Sequence, residues 1–331
     1  KTMAIKSFSI EYDAKNKDNV FSRGDSISGR VVLDVSKETK LERLTVKAKG
    51  KASVRWTEHY GPRLHITYTA KEKYFSIEKH LLDDSTRGKF YCCVSFSFCN
   101  HFNRTFILGS KVTGVGRHVF PFTFEIPYLE LPSSFKGKHG KIVYSLEARA
   151  SRSMRLDRKA KEEFIILFNE DLSTPDLVKP QHICSDKKLL SSGNVTLNVH
   201  TKRMGYLQGD TIEVRAEIIN NSNKTITPKY YLYEKQTFYT KLKRKVYTKG
   251  IIKEKGQPIG PRAQLNDTKV LHIPDLLPPT LLSCSILKLE YTLKVVLDVS
   301  LIGNTEVKLP IIVMRESTML QEQNQRESLF G

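Results

Sequence analysis

No run of 18 or more uninterrupted apolar residues occurs in the chain, which leaves no material for a membrane-crossing helix. Its first residues, Lys1, Thr2, Met3 and then Ala4 to Ile10, alternate polar with apolar where a signal peptide would be continuously apolar, so integral-membrane and secreted readings both start weak. Cysteine is scarce. Five in all, an odd number, do not make a disulfide framework, and reduced thiols in a cytosolic protein fit them better. Without a signal peptide the Asn-x-Thr triplets at Asn103, Asn194, Asn223 and Asn266 carry no glycosylation argument. Catalytic signatures are missing too: there is no nucleophile elbow, P-loop, HExxH or dinucleotide glycine pattern, and Gly114-Val115-Gly116 reads as a turn. Negative charge is short, with 35 Asp and Glu against 54 Lys and Arg and a net charge of +19. A surplus of that size attracts acidic partners, among them anionic membrane, phosphorylated protein and nucleic acid.

What the chain has in abundance is alternation of period two, rich in Val, Ile, Thr, Phe and Tyr, over most of its 331 residues. The expected fold class is all-β, and at about 100–200 residues per domain the length predicts two domains. From Thr45 onward Val46, Ala48, Gly50, Ala52 and Val54 share one face, and Lys47, Lys49, Lys51, Ser53 and Arg55 share the other, as in a half-buried strand with a basic outer face. Further strands are expected over 7–12, 27–35, 63–69, 118–126, 142–150, 163–167, 195–200, 211–219, 227–235, 270–273, 287–299 and 306–313, in antiparallel sheets packed face to face. Residues 153–163 read as a charged turn between strands, with a short helix as the alternative, and 314–331 as a polar, disordered tail.

A repeat organises the chain. Phe21-Ser22-Arg23-Gly24-Asp25-Ser26-Ile27 and Tyr206-Leu207-Gln208-Gly209-Asp210-Thr211-Ile212 present the same turn before a strand, and Tyr144-Ser145-Leu146 is echoed by Tyr291-Thr292-Leu293. This predicts two β-sandwiches of similar plan, over residues 1–168 and 181–313, joined by a linker at 169–180 that contains Pro175 and Pro180. Residues 90–108, crowded with Phe and Cys, fit neither plan and read as an insertion or an edge strand.

Cys92, Cys93, Cys99 and His101 are the one thiol and imidazole cluster, but adjacent cysteines on a strand point to opposite faces, so no metal site is expected. Cys184 reads as a linker thiol and Cys284 as a buried one. Basic runs are the better candidates for binding acidic or phosphorylated partners: Lys47, Lys49 and Lys51; Lys136, Lys138 and Lys141; Arg152, Arg155 and Arg158; and Lys243, Arg244 and Lys245. Each run alone is better explained by solvated surface that suppresses edge pairing, and only together do they make a basic binding surface. Aromatic residues alternate inward without an RNA-binding signature, so nucleic acid is not an expected partner.

The chain resembles the arrestin-domain-containing proteins, the alpha-arrestins. The resemblance rests on 134-SFKGKHGKIVY-144, Thr174-Pro175-Asp176-Leu177, 205-GYLQGDTI-212, 279-PTLLSCSILKLEY-291 and Leu309-Pro310-Ile311-Ile312-Val313, which fall in order across residues 4–313. It implies two arrestin-type β-sandwiches and a non-catalytic cytosolic adaptor, without cofactor, that holds receptors or transporters by their cytoplasmic tails and links them to endocytic sorting or ubiquitination. Such a protein sits peripherally on plasma membrane and endosomes. The alternative is a basic lipid- or nucleic-acid-binding β-protein without specific cargo.

Departures from the family pattern narrow this picture. The single Pro-Pro, Pro278-Pro279, is followed by Thr280 and Leu281, so the Pro-Pro-x-Tyr route to a ubiquitin ligase is unsupported and a ligase would be reached only indirectly. With Gly331 soon after the last strand, the resemblance implies a truncated form or a member that acts without the ligase motif. No cysteine falls in 250–275, where the thioredoxin-binding member of the family carries its reactive thiol, so thioredoxin binding is not expected.

Overall fold

A computed structural model describes residues 4–14, 19–82, 111–168, 175–189, 193–298 and 305–315. The segment 90–108 and its cysteines lie outside the described residues. Two compact units divide the chain, the first spanning Lys1–Phe168 and the second Asn169–Gly331, except that Thr240–Leu242 groups with the first.

The first unit contains β1 (Ile5–Tyr12), β2 (Val20–Phe21), β3 (Ser26–Val35), β4 (Thr39–Leu41), β5 (Arg43–His59), β6 (His65–His80), β7 (Lys111–Thr113), β8 (Gly116–Glu125), β9 (Phe135–Lys136), β10 (Gly140–Arg152) and β11 (Arg155–Ile166). A three-stranded sheet runs β1-β3-β8 and a six-stranded sheet runs β2-β11-β10-β5-β6, with β9 beside β10. The alternation that makes these strands also makes the core: Ile27, Val31 and Leu33 from one sheet and Val46, Ala48, Tyr144 and Leu146 from the other are buried. Tyr12 of β1 sets its ring 6.4 Å from Phe164 of β11, edge to face, one contact across the layers.

The second unit opens on α1 (Pro175–Val178) and continues with β12 (Gln181–Leu189), β13 (Gly193–Thr201), β14 (Gly205–Leu207), β15 (Thr211–Asn220), β16 (Thr227–Tyr239), β17 (Arg244–Lys255), β18 (Ala263–His272), β19 (Leu287–Asp298) and β20 (Thr305–Met314). Its sheets run β12-β13-β15-β18 and β14-β20-β19-β16-β17. The pairings are antiparallel except β2 with β11 and β14 with β20, the same exception in each unit.

The repeat seen in the sequence is physical. Gly24 (φ +78°) and Gly209 (φ +81°) both occupy the left-handed region that glycine tolerates. The Ser22 N–H donates to Asp25 Oδ2 at 2.6 Å, as the Leu207 N–H does to Asp210 Oδ2 at 2.9 Å. Both tyrosines of the second echo are buried with their hydroxyls satisfied, Tyr144 donating to the Pro132 carbonyl at 2.7 Å and Tyr291 to that of Pro278 at 2.6 Å.

Several expectations are corrected. Residues 155–163 are neither turn nor helix: they form most of β11, because pairing with β10 supplies the hydrogen bonds that a narrow apolar stripe could not hold in a helix. The strand expected to stop at 69 runs on to His80, and β12 and β17 had not been expected at all. Cys184 lies exposed on β12 and not in a linker, whereas Cys284 is buried as foreseen. Met314, assigned to the tail, closes β20 and is buried.

Candidate anion-binding face

Along β5 the inward set is buried as predicted and the three lysines point the other way. They are not an open row of cations, however. Lys47 pairs with Glu78 of β6 at 2.8 Å, and Lys49 with Glu147 of β10 at 2.5 Å. Burial alone would raise the Glu147 pKa, but the Lys49 hydrogen bond and charge, with Lys161 and Lys51 beyond, hold it below the usual carboxylate range. Lys51 has no carboxylate partner among the described residues. Partial burial and then the ammonium groups of Lys49, Lys161 and Lys71 push its pKa down, against a weaker upward pull from Glu147. A cation crowded by cations gains most when an anion arrives.

Register shows what surrounds Lys51. It lies opposite Lys73 of β6, and one row on, Ser53 lies between Lys71 of β6 and Lys141 of β10. Lys141 in turn faces Lys136 of β9. With strands about 4.7–4.9 Å apart, ammonium groups on alternate strands can close on one phosphate or carboxylate from two sides. The acidic residues sit elsewhere on this face: Glu78 and Glu147 hold the Lys47 row, while Glu163 takes Lys161 at 2.6 Å and the exposed Lys136 at 3.5 Å. Among the described residues Lys51, Lys71, Lys73 and Lys141 make no ion pair with a carboxylate.

Lys71 and Lys73 were missed in the sequence. Their signal, the alternation Thr69, Lys71, Lys73, was legible but stood beyond the point where the strand was expected to end. Lys138 occupies the β9–β10 turn, where the Gly137 N–H donates to the Gly140 carbonyl at 2.8 Å.

The three arginines do not join this face. Arg152 and Arg155 pair across the end of the β10–β11 hairpin, and Arg158 lies opposite the fully buried Ala150, its Nη2 3.5 Å from the Ile5 carbonyl. They form a cluster of their own: desolvation, then Arg155 and Arg158, depress the Arg152 pKa. Lys243, Arg244 and Lys245 belong to the second unit, just before and at the start of β17. Among the described residues no group of three His, Cys, Asp or Glu is placed to hold a metal ion, and no helix is long and apolar enough to cross a membrane.

Comparison with known proteins agrees with the two units. The family profile for "Arrestin (or S-antigen), N-terminal domain" matches residues 8–173, and that for the C-terminal domain matches residues 191–317. The mouse arrestin domain-containing protein 4 is 27% identical over 321 residues, covering 93% of this chain and 72% of that protein. Its human counterpart is 28% identical, covering 93% and 71%. Mouse thioredoxin-interacting protein is 26% identical over 318 residues, covering 93% and 73%. Two tandem β-sandwiches with repeated Gly-Asp turns, each matched by its own arrestin profile, make this chain a member of the arrestin family, in its alpha-arrestin branch.

Proposed function

We propose that this protein is a non-catalytic cytoplasmic adaptor in the endocytic and endosomal trafficking of receptors or transporters, and that it reads an acidic or phosphorylated cytoplasmic tail on the first unit. The observation that carries the reading is the cluster of Lys51, Lys71, Lys73 and Lys141 on an exposed sheet face, none of them in an ion pair among the described residues. Among the described residues β6 pairs with β5 alone and ends its sheet, so an extended tail can add alongside it and bring alternate residues toward Lys71 and Lys73. The adaptor sits peripherally on plasma membrane and endosomes.

The test is binding of the full chain to a receptor-tail peptide in phosphorylated and unphosphorylated forms, with and without Lys51→Glu, Lys71→Glu and Lys73→Glu combined. Preference for the phosphorylated peptide that the triple variant abolishes supports the reading. Equal binding by both proteins, or displacement of peptide by RNA at equal charge, overturns it.

A further inference from the structure

The β10–β11 hairpin ends in a feature that the lysine face does not use. Met154, in the turn, is 101% exposed and Leu156, at the start of β11, is 91% exposed: two large apolar side chains at one hairpin end. Around them the sequence from Arg149 to Lys161 contains six cations and a single carboxylate, Asp157, which Arg149 Nε approaches at 3.4 Å. Arg152 Nε is buried without a hydrogen-bond partner, and Arg155 faces it across the hairpin. Met154 also holds φ at +51°, the left-handed region that Gly or Asn fills with least strain. A long apolar side chain is thus carried at the turn position where the backbone least favours it.

We infer that this hairpin tip is an interfacial wedge: Met154 and Leu156 enter the acyl boundary of an anionic bilayer while Arg152 and Arg155 meet lipid phosphates. Apolar tips ringed by cations fit that boundary, where carbon leaves water and arginine finds phosphate. Leu276, 93% exposed beside Asp275, has the apolar part of this design without the cations. The inference rests on the peripheral membrane placement proposed above and names the residues that produce it.

The experiment uses the full chain with phosphatidylcholine vesicles, with and without about a third phosphatidylserine. Trp56, the only tryptophan in the chain, is 3% exposed, so Met154→Trp adds a reporter over a quiet background. Its emission should shift to the blue on anionic vesicles and be quenched by brominated acyl chains. Met154→Gly with Leu156→Ser, which relaxes the turn and folds at least as well, should weaken vesicle binding about tenfold or more, as should Arg152→Gln with Arg155→Gln. Leu276→Ser should leave it unchanged. An unshifted reporter, or vesicle affinity indifferent to the hairpin variants, overturns the wedge. So does loss of peptide binding with vesicle binding intact, which would make the tip a protein contact. Lysine-face variants that spare peptide binding would instead sink the tail reading alone.

Discussion

Gly50 lies directly opposite Tyr144 on the neighbouring strand, and a Cβ at position 50 would come within 2.5 Å of Tyr144 Cε1. The ring is fully buried and its hydroxyl is held by the Pro132 carbonyl, so it cannot swing away cheaply. Phe75 presses from the other side, its Cε1 2.9 Å from the same point.

Gly50→Ala should therefore destabilise the first unit by roughly 1–3 kcal/mol, the range for overpacked cores. Urea denaturation followed by Trp56 fluorescence reads this unit, and an unchanged midpoint would mean that the β5–β10 contact is looser than it stands.

Lys51 and Lys49 are two residues apart and should answer charge reversal in opposite ways. Lys51→Glu relieves crowding by Lys49, Lys161 and Lys71, so stability should hold or rise while affinity for acidic peptide falls. Lys49→Glu confronts Glu147 and should cost stability, about 1 kcal/mol at this exposure. Urea midpoints beside peptide titrations separate the two effects.

Glu147 sets a pH dependence. Its folded pKa is depressed, so between folded and unfolded values the unfolded chain binds more protons and stability rises with pH. The contribution is complete above the ordinary carboxylate pKa and disappears as pH falls through the depressed value. Because somewhat more than a third of the side chain is open to solvent, which screens the pair, roughly 0.2–1 kcal/mol is at stake. Glu147→Gln should remove that part of the acid-side slope in denaturation curves between about pH 3 and 6, and an identical slope would show that the pair contributes nothing.

The Gly-Asp turn of the second unit is held by a side-chain ion pair as well as by the backbone. Asp210 accepts both the Leu207 N–H and, at 2.7 Å, Arg203 Nη2, and Arg203 lies over the Tyr206 ring at 4.9 Å. Asp25 accepts the Ser22 N–H, and Arg23 instead lies over the rings of Tyr128 and Phe168. Asp210→Ala should cost about 1–3 kcal/mol, read as a lowered thermal transition of the second unit, and an unchanged transition would mean that these contacts contribute nothing.

How much of this was legible in the sequence depends on contrast across each strand. β5 alternates small apolar residues with lysines, and β16 and β19 alternate as sharply, so all three are legible from their residues alone. Over Arg155–Glu163 β11 offers only half-buried Arg158 and Ala160 inward, and β12 and β17 stand at the ends of their sheets, where pairing and not apolar periodicity holds the chain extended. The candidate site failed to read for a different reason. Lys51 and Lys73 are far apart in sequence and meet only because a bulge between Gly50 and Lys51 sets the β5–β6 register, and the carboxylates that neutralise Lys47 and Lys49 likewise come from β6 and β10.

The two parallel pairings bear on how the chain is made. Val20 and Phe21 find their partners only when Ile165 and Ile166 have left the ribosome, and Gly205–Leu207 must wait for Ile312–Met314. The strand that seals each unit is among the last of that unit to emerge, which places the slow, long-range closure at the end of its synthesis. A growing chain therefore passes through two intervals in which an open sandwich exposes apolar strands to water, and these are the moments at which it most needs a chaperone.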